Sequence, residues 1–121
     1  RYAGRYVVNL SVDPVMFRQA INVGELVPFL ASVNHTGTSS MEVGIKVVAE
    51  DIRKQSVRHA NSCFFTMVAV DDEGRTTAVP PLEPSTPEEI RRFAAARLRR
   101  QLREEMERRH AELGSLAVEN A

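Results

Sequence analysis

At 121 residues the chain has the length of one domain or part of one, and 43% hydrophobic with 26% charged residues is an ordinary globular composition. A formal net charge of zero excludes bulk electrostatic recruitment to nucleic acid or to a membrane surface, and no apolar run approaches the roughly 18 residues of a membrane span. The single cysteine, Cys63, excludes an internal disulfide and suits a reducing compartment.

The opening Arg1-Tyr2-Ala3-Gly4 reads as a helix end with Gly4 just past it, and Arg1 in place of Met reads as a trimmed edge. Residues 6–12 alternate as a half-buried strand, with Tyr6, Val8, Leu10 and Val12 on one face. Residues 21–25 form a connection carrying Gly24. Residues 26–33 make a second strand, with Pro28 near its start, where a lost donor is tolerated at an edge. Residues 34–38 read as a hairpin loop holding His35, because Asn and Gly accept positive φ. Residues 41–50 give the cleanest strand, with Met41, Val43, Ile45, Val47 and Ala49 facing one way. Residues 51–55 turn the chain. Residues 58–70 make a long strand whose apolar end, 64–70, predicts burial on both faces. Asp71-Asp72-Glu73-Gly74 is a turn, and residues 76–79 suit a short edge strand. Consecutive strands with short connections predict an antiparallel meander.

A proline-rich linker follows, then a well-marked helix start. In Thr86-Pro87-Glu88-Glu89, Thr86 can cap, Glu89 can close a capping box, and Pro87 occupies the first helical position. The helix is predicted to end near Leu113, before Gly114. Its apolar positions, Ile90, Phe93, Ala94, Leu98, Leu102 and Met106, form a narrow winding stripe. Eight arginines lie from Arg91 to Arg109, with Glu88, Glu89, Glu104, Glu105, Glu107 and Glu112 around and among them. That pattern makes i,i+4 pairs on a solvated face, and an Arg there can also meet a phosphate. The helix is too polar to cover the apolar face of the sheet, so a covering element is expected upstream or from another chain.

Three scattered histidines and one cysteine argue against a metal site on ligand grounds. Cys63 reads as an inert buried thiol, His110 as a surface residue, and Phe17, Phe29, Phe64 and Phe65 as core rather than a nucleobase platform. No nucleophile-elbow spacing accompanies His35 or His59.

Four landmarks, in this order, carry a family resemblance: Ser11-Val12-Asp13, Gly37-Thr38-Ser39-Ser40-Met41-Glu42-Val43, Phe64-Phe65-Thr66-Met67-Val68-Ala69-Val70 and Pro80-Pro81-Leu82-Glu83-Pro84. Together they resemble the acyl-CoA thioesterases of the hotdog fold, the cytosolic acyl-CoA hydrolases and their bacterial short-chain relatives. The resemblance implies an α+β fold in which an antiparallel sheet wraps a central helix, here expected upstream of Arg1, and a C-terminal helix is added. It divides the chain into a hotdog domain over 1–79, a linker over 80–87, the helix over 88–113 and a tail over 114–121. It implies hydrolysis of acyl-CoA to free fatty acid and coenzyme A, with no separate cofactor, in a cytoplasmic homodimer or trimer of dimers that binds neither nucleic acid nor membrane. The catalytic residue stays unknown, since the family's carboxylate belongs to the central helix, and Asp13 is not promoted in its place. Coenzyme A contacts carry over to Leu10, Ser11 and Val12, to Ser39, Ser40 and Met41, and to Arg99, with Arg97 and Arg100 competing for the last role. Thr38 stands where many bacterial relatives have Arg, which removes one phosphate contact. The alternative is a non-catalytic acyl-CoA-binding or assembly module of the same fold.

Overall fold

A computed structural model describes residues 2–12 and 19–119. Asp13 and Phe17, both considered above, lie outside the described residues. The chain divides into two compact units, with the boundary between Glu83 and Pro84.

The first unit is a four-stranded antiparallel sheet of β1 (Tyr6–Val12), β2 (Phe29–Thr36), β3 (Ser40–Asp51) and β4 (Ser56–Val70). The spatial order is β1-β4-β3-β2, so only β2, β3 and β4 form the predicted meander. β1 instead joins the far side of β4, with Tyr6 opposite Val70 and Val12 opposite Phe65. The physical reason is the connection over residues 13–28, which is long enough to cross the sheet, whereas the β2–β3 and β3–β4 turns force adjacent pairing. β2 also starts and ends later than expected. Leu26 makes only an isolated bridge to Glu50, and Asn34, His35 and Thr36 belong to the strand rather than to a loop.

Each strand pair carries one irregularity. Leu10 is the extra residue of β1 against β4, Asn34 of β2 against β3, and Ala60 of β4 against β3. Such bulges leave one residue out of the ladder and increase the local right-handed twist. The carbonyl of Ala60 accepts the Gln19 N–H at 3.4 Å.

The turns follow local chemistry. Asp51 Oδ1 accepts the N–H groups of Arg53 and Lys54, both at 3.1 Å, and Gln55 closes that turn at φ 53°. Asp71 Oδ1 accepts those of Glu73 and Arg75, at 3.0 and 2.9 Å, around Gly74 at φ 79°. The predicted edge strand over 76–79 shrinks to one bridge, Thr76 to Val70, because Pro80 and Pro81 follow and cannot donate to a ladder.

The core is thin. One cluster joins Met41, Ala69 and Val79, and a second joins Val47, Ala49 and Ala60; no large side chain among the described residues is fully buried. The 64–70 end of β4, expected to be buried on both faces, is mostly half-buried. β1, expected to be half-buried, exposes both faces, with Tyr6 75% and Val7 40% accessible. Phe29, expected in the core, is 68% accessible because β2 is the other edge of the sheet.

The second unit contains α1 (Pro87–Glu119). Its start is the expected capping box: Glu89 N–H donates to Thr86 Oγ1 at 3.2 Å, and Thr86 N–H donates to Glu89 Oε2 at 3.4 Å. The helix does not stop at Leu113. It continues through Gly114 to Glu119, since an interior glycine costs only about 1 kcal/mol relative to alanine and no proline follows to end it. Pairs at i,i+4 line the surface: Glu88 with Arg92 at 2.7 Å, Arg100 with Glu104 at 3.3 Å and Glu105 with Arg109 at 3.0 Å. Leu98, Leu102 and Met106 are exposed.

Candidate functional site

The segments 10–12 and 39–41 are distant in sequence and converge on one stretch of β4. Thr66 lies between Ser11 and Glu42, Met67 between Asn9 and Met41, and Val68 between Val8 and Ser40. Adjacent strands are ~4.8 Å apart, so one strand separates the two segments by about 10 Å. β1 is an edge strand, so among the described residues it pairs on one side only. Its outer rank of N–H and C=O groups can therefore receive an extended ligand carrying amides. Leu10, the bulged residue of this strand, is 67% accessible. The side chains of Ser11 and Val12 lie outside the described set.

The hairpin tip between β2 and β3 is held by its carbonyls. Thr38 C=O accepts from Val79 N–H at 2.9 Å, Ser39 C=O from Ala69 N–H at 2.9 Å, and Ser40 C=O from Gly37 N–H at 2.8 Å. Ser39 and Ser40 add hydroxyl groups to this half-buried, carbonyl-anchored tip. Hydroxyl donors suit an anion or a carbonyl oxygen. Met41 differs: its side chain is only 5% accessible and packs with Ala69 and Val79, so it anchors the tip from beneath.

Arg99 belongs to the helical unit and is half-buried. Of its competitors, Arg97 is exposed, and Arg100 is half-buried and paired with Glu104.

An ion pair fixes the chain beside β4. Arg58 donates to Glu25 through both guanidinium nitrogens, at 2.5 and 2.6 Å, and to Ala20 C=O at 2.6 Å. The Arg58 hydrogen bonds, followed by the Asn22 N–H, lower the Glu25 pKa from 4.5 to about 2, and Arg58 is shifted upward in turn. Glu89 is likewise held below its ordinary value, first by the Ser85 N–H and then by that of Thr86.

His59 Nε2 lies 2.8 Å from Ser62 Oγ and 2.9 Å from Asn61 C=O. The carbonyl can only accept, so Nε2 carries the proton and cannot serve as the base for Ser62. Cys63 is half-buried rather than buried, and Asn61 Nδ2 donates to its sulfur at 3.5 Å. No group of His, Cys, Asp and Glu among the described residues is arranged to hold a metal ion.

Sequence reasoning missed a polar network behind the tip. Ser32 Oγ donates to Asn34 Oδ1 at 2.7 Å, and Asn34 Nδ2 donates to Glu42 Oε1 at 3.1 Å. Asn34 and Glu42 are each 4% accessible. A β-carbon at Gly44 would collide with Asn34 Nδ2. A glycine inside a strongly patterned strand signals such a close approach, so Gly44 was the available clue.

Comparison with known proteins matches residues 1–56 to the Thioesterase superfamily. The chain is 50% identical to Protein VdlD of Helicobacter pylori over 103 residues, which is 85% of this chain and 59% of that protein. It therefore spans about three-fifths of that relative's length. A solved apo-hexameric acyl-CoA thioesterase is 35% identical, with a TM-score of 0.82 over 87% of this chain and 67% of the other. An acyl-CoA hydrolase from Staphylococcus aureus, solved with butyryl coenzyme A, coenzyme A and coenzyme A disulfide, is 32% identical, with a TM-score of 0.77 over 91% and 68%.

Proposed function

Because the chain belongs to the hotdog-fold acyl-CoA thioesterases, we propose that its protein hydrolyses acyl-CoA to free fatty acid and coenzyme A, with this chain supplying much of the coenzyme A contact surface. The observation that carries the reading is the convergence of residues 10–12 and 39–41 on Thr66, Met67 and Val68. The β1 edge offers alternating donors and acceptors to the pantetheine amides. The tip offers backbone groups and the Ser39 and Ser40 hydroxyls to an amide carbonyl or a phosphate. The helical unit, taken by itself, carries Arg99, whose guanidinium suits a phosphate.

The reaction breaks the thioester C–S bond with water, aided by a carboxylate acting as general base or nucleophile. Within the converging band, Glu42 is the carboxylate among the described residues, and it is tied to Asn34, so the catalytic role is not given to it. The alternative reading is a module that binds acyl-CoA without turning it over. Assembly as a homodimer or trimer of dimers in the cytoplasm completes the proposal, in line with the hexameric relative.

The test is thiol release from short- and long-chain acyl-CoAs, together with calorimetric titration by coenzyme A. Turnover supports the enzyme, binding without turnover supports the module, and neither overturns both. Ser39→Ala combined with Ser40→Ala is expected to weaken coenzyme A binding several-fold, at roughly 1 kcal/mol per hydrogen bond lost.

A further inference from the structure

The tip carries the proposed ligand contacts, yet its position is set one layer back. Asn34 is the bulged residue of β2, so Val33 pairs with Val43 but His35 pairs with Glu42 and Thr36 with Met41. Without the bulge, Asn34 would face Glu42, His35 would face Met41 and Thr36 would face Ser40. That one-residue slip would shorten the tip from residues 37–40 to residues 37–39 and draw Ser40 into a pair with Thr36. The slip also moves side chains between faces, because strand side chains alternate with a period of two.

What prevents it is a lock of three parts. The Asn34 amide is a donor to Glu42 and an acceptor from Ser32, which satisfies both of its ends in a nearly water-free place. Gly44, opposite Ser32 on β3, leaves the space the amide occupies, and the Phe64 ring edge lies 3.5 Å from where its β-carbon would be. Breaking either hydrogen bond strands a buried polar group, so the bulged register is strongly preferred.

The geometry points to Asn34 as a positioning residue for the acyl-CoA site: seated over Gly44 and bound to Ser32 and Glu42, it fixes the register that sets Thr38, Ser39 and Ser40 at the ligand. The inference rests on the functional reading above. Asn34 touches no ligand itself and acts through the tip.

The test uses Gly44→Ala, which closes the space, and Asn34→Ala, which removes the amide and serves should Gly44→Ala fail to fold. Two readouts are taken on the full chain in its native assembly. The first is hydrogen exchange at the amides of Gly37 and Ala69, which are bonded to the Ser40 and Ser39 carbonyls, with the Asp71 amide in the neighbouring turn as control. The expected result is at least tenfold faster exchange at Gly37 and Ala69 and no change at Asp71. The second is the coenzyme A dissociation constant, with KM and kcat for acyl-CoA where turnover occurs. The expected result is a five- to tenfold rise in Kd and KM at near-constant kcat. Unchanged exchange at the tip overturns the proposal whatever the activity. Faster exchange with unchanged Kd also overturns it, since Asn34 would then be structural only. A wild-type chain that binds no coenzyme A overturns the functional reading and the ligand half of this inference, and the exchange result still decides the register half.

Discussion

The centre of the sheet and its β1 edge use similar residue types and place them in opposite environments. In β3, Val47, Val48 and Ala49 are 6%, 7% and 0% accessible; in β1, Tyr6, Val8 and Leu10 are 75%, 50% and 67% accessible. Both strands alternate and both are rich in aliphatic groups. The difference is that β3 has a paired strand on each side, whereas among the described residues β1 has one neighbour and an open rank of backbone groups. Alternation therefore specifies which side chains share a face. It does not specify whether that face, in this chain, is covered.

The strongest way to test the contrast is at its buried end. Met41→Ala removes a side chain 5% accessible beneath the tip and is expected to cost about 2–5 kcal/mol in denaturant unfolding. A cost below 1 kcal/mol would mean that the centre is no better packed than the edge.

A second test addresses the ion pair that fastens residues 20–25 beside β4. Glu25 titrates at about 2 in the folded chain against an ordinary 4.5. A lowered carboxyl pKa stabilises fully above the unfolded value, and that contribution is lost as pH falls from about 4.5 towards 2. Arg58→Met is thus expected to be less stable than the parent at pH 7, with the two unfolding curves converging as pH approaches 2. A gap that stays constant down to pH 2 would show that Arg58 acts by packing, not charge.

The smallest effect belongs to the edge. Leu10→Ser is expected to change the stability of the isolated chain by no more than about 0.5 kcal/mol. The same substitution measured against protein concentration sharpens the comparison. A loss that grows as the protein is concentrated identifies β1 as a surface covered in an assembly.

Much of the local structure was readable in the residues. Thr86 and Glu89 announce a helix start because the capping box is complete within four positions, and Asp71 and Gly74 announce their turn for the same reason. Both segments of the proposed site were also marked by sequence. Their convergence was not, because the placement of Ser11 and Glu42 on either side of Thr66 depends on where β1 joins the sheet, and a long connection leaves that choice to non-local packing. The Asn34 bulge escaped for a different reason. Asparagine next to histidine and near glycine has turn chemistry, and only the missing side chain of Gly44, ten positions later, lets that residue be buried in a strand. Gly114 shows the converse error: a glycine weighted as a stop sign was simply a weak helix residue.

The bulges at Leu10 and Asn34 have one more consequence. They sit on the two outer strands, β1 and β2, which are also where large apolar side chains are exposed. A straight, apolar border strand is a template on which further chains can stack without limit. A kink in the middle of each border breaks the repeat after a few residues, so these edges can accept a partner shaped to the kink and refuse an endless series of identical ones.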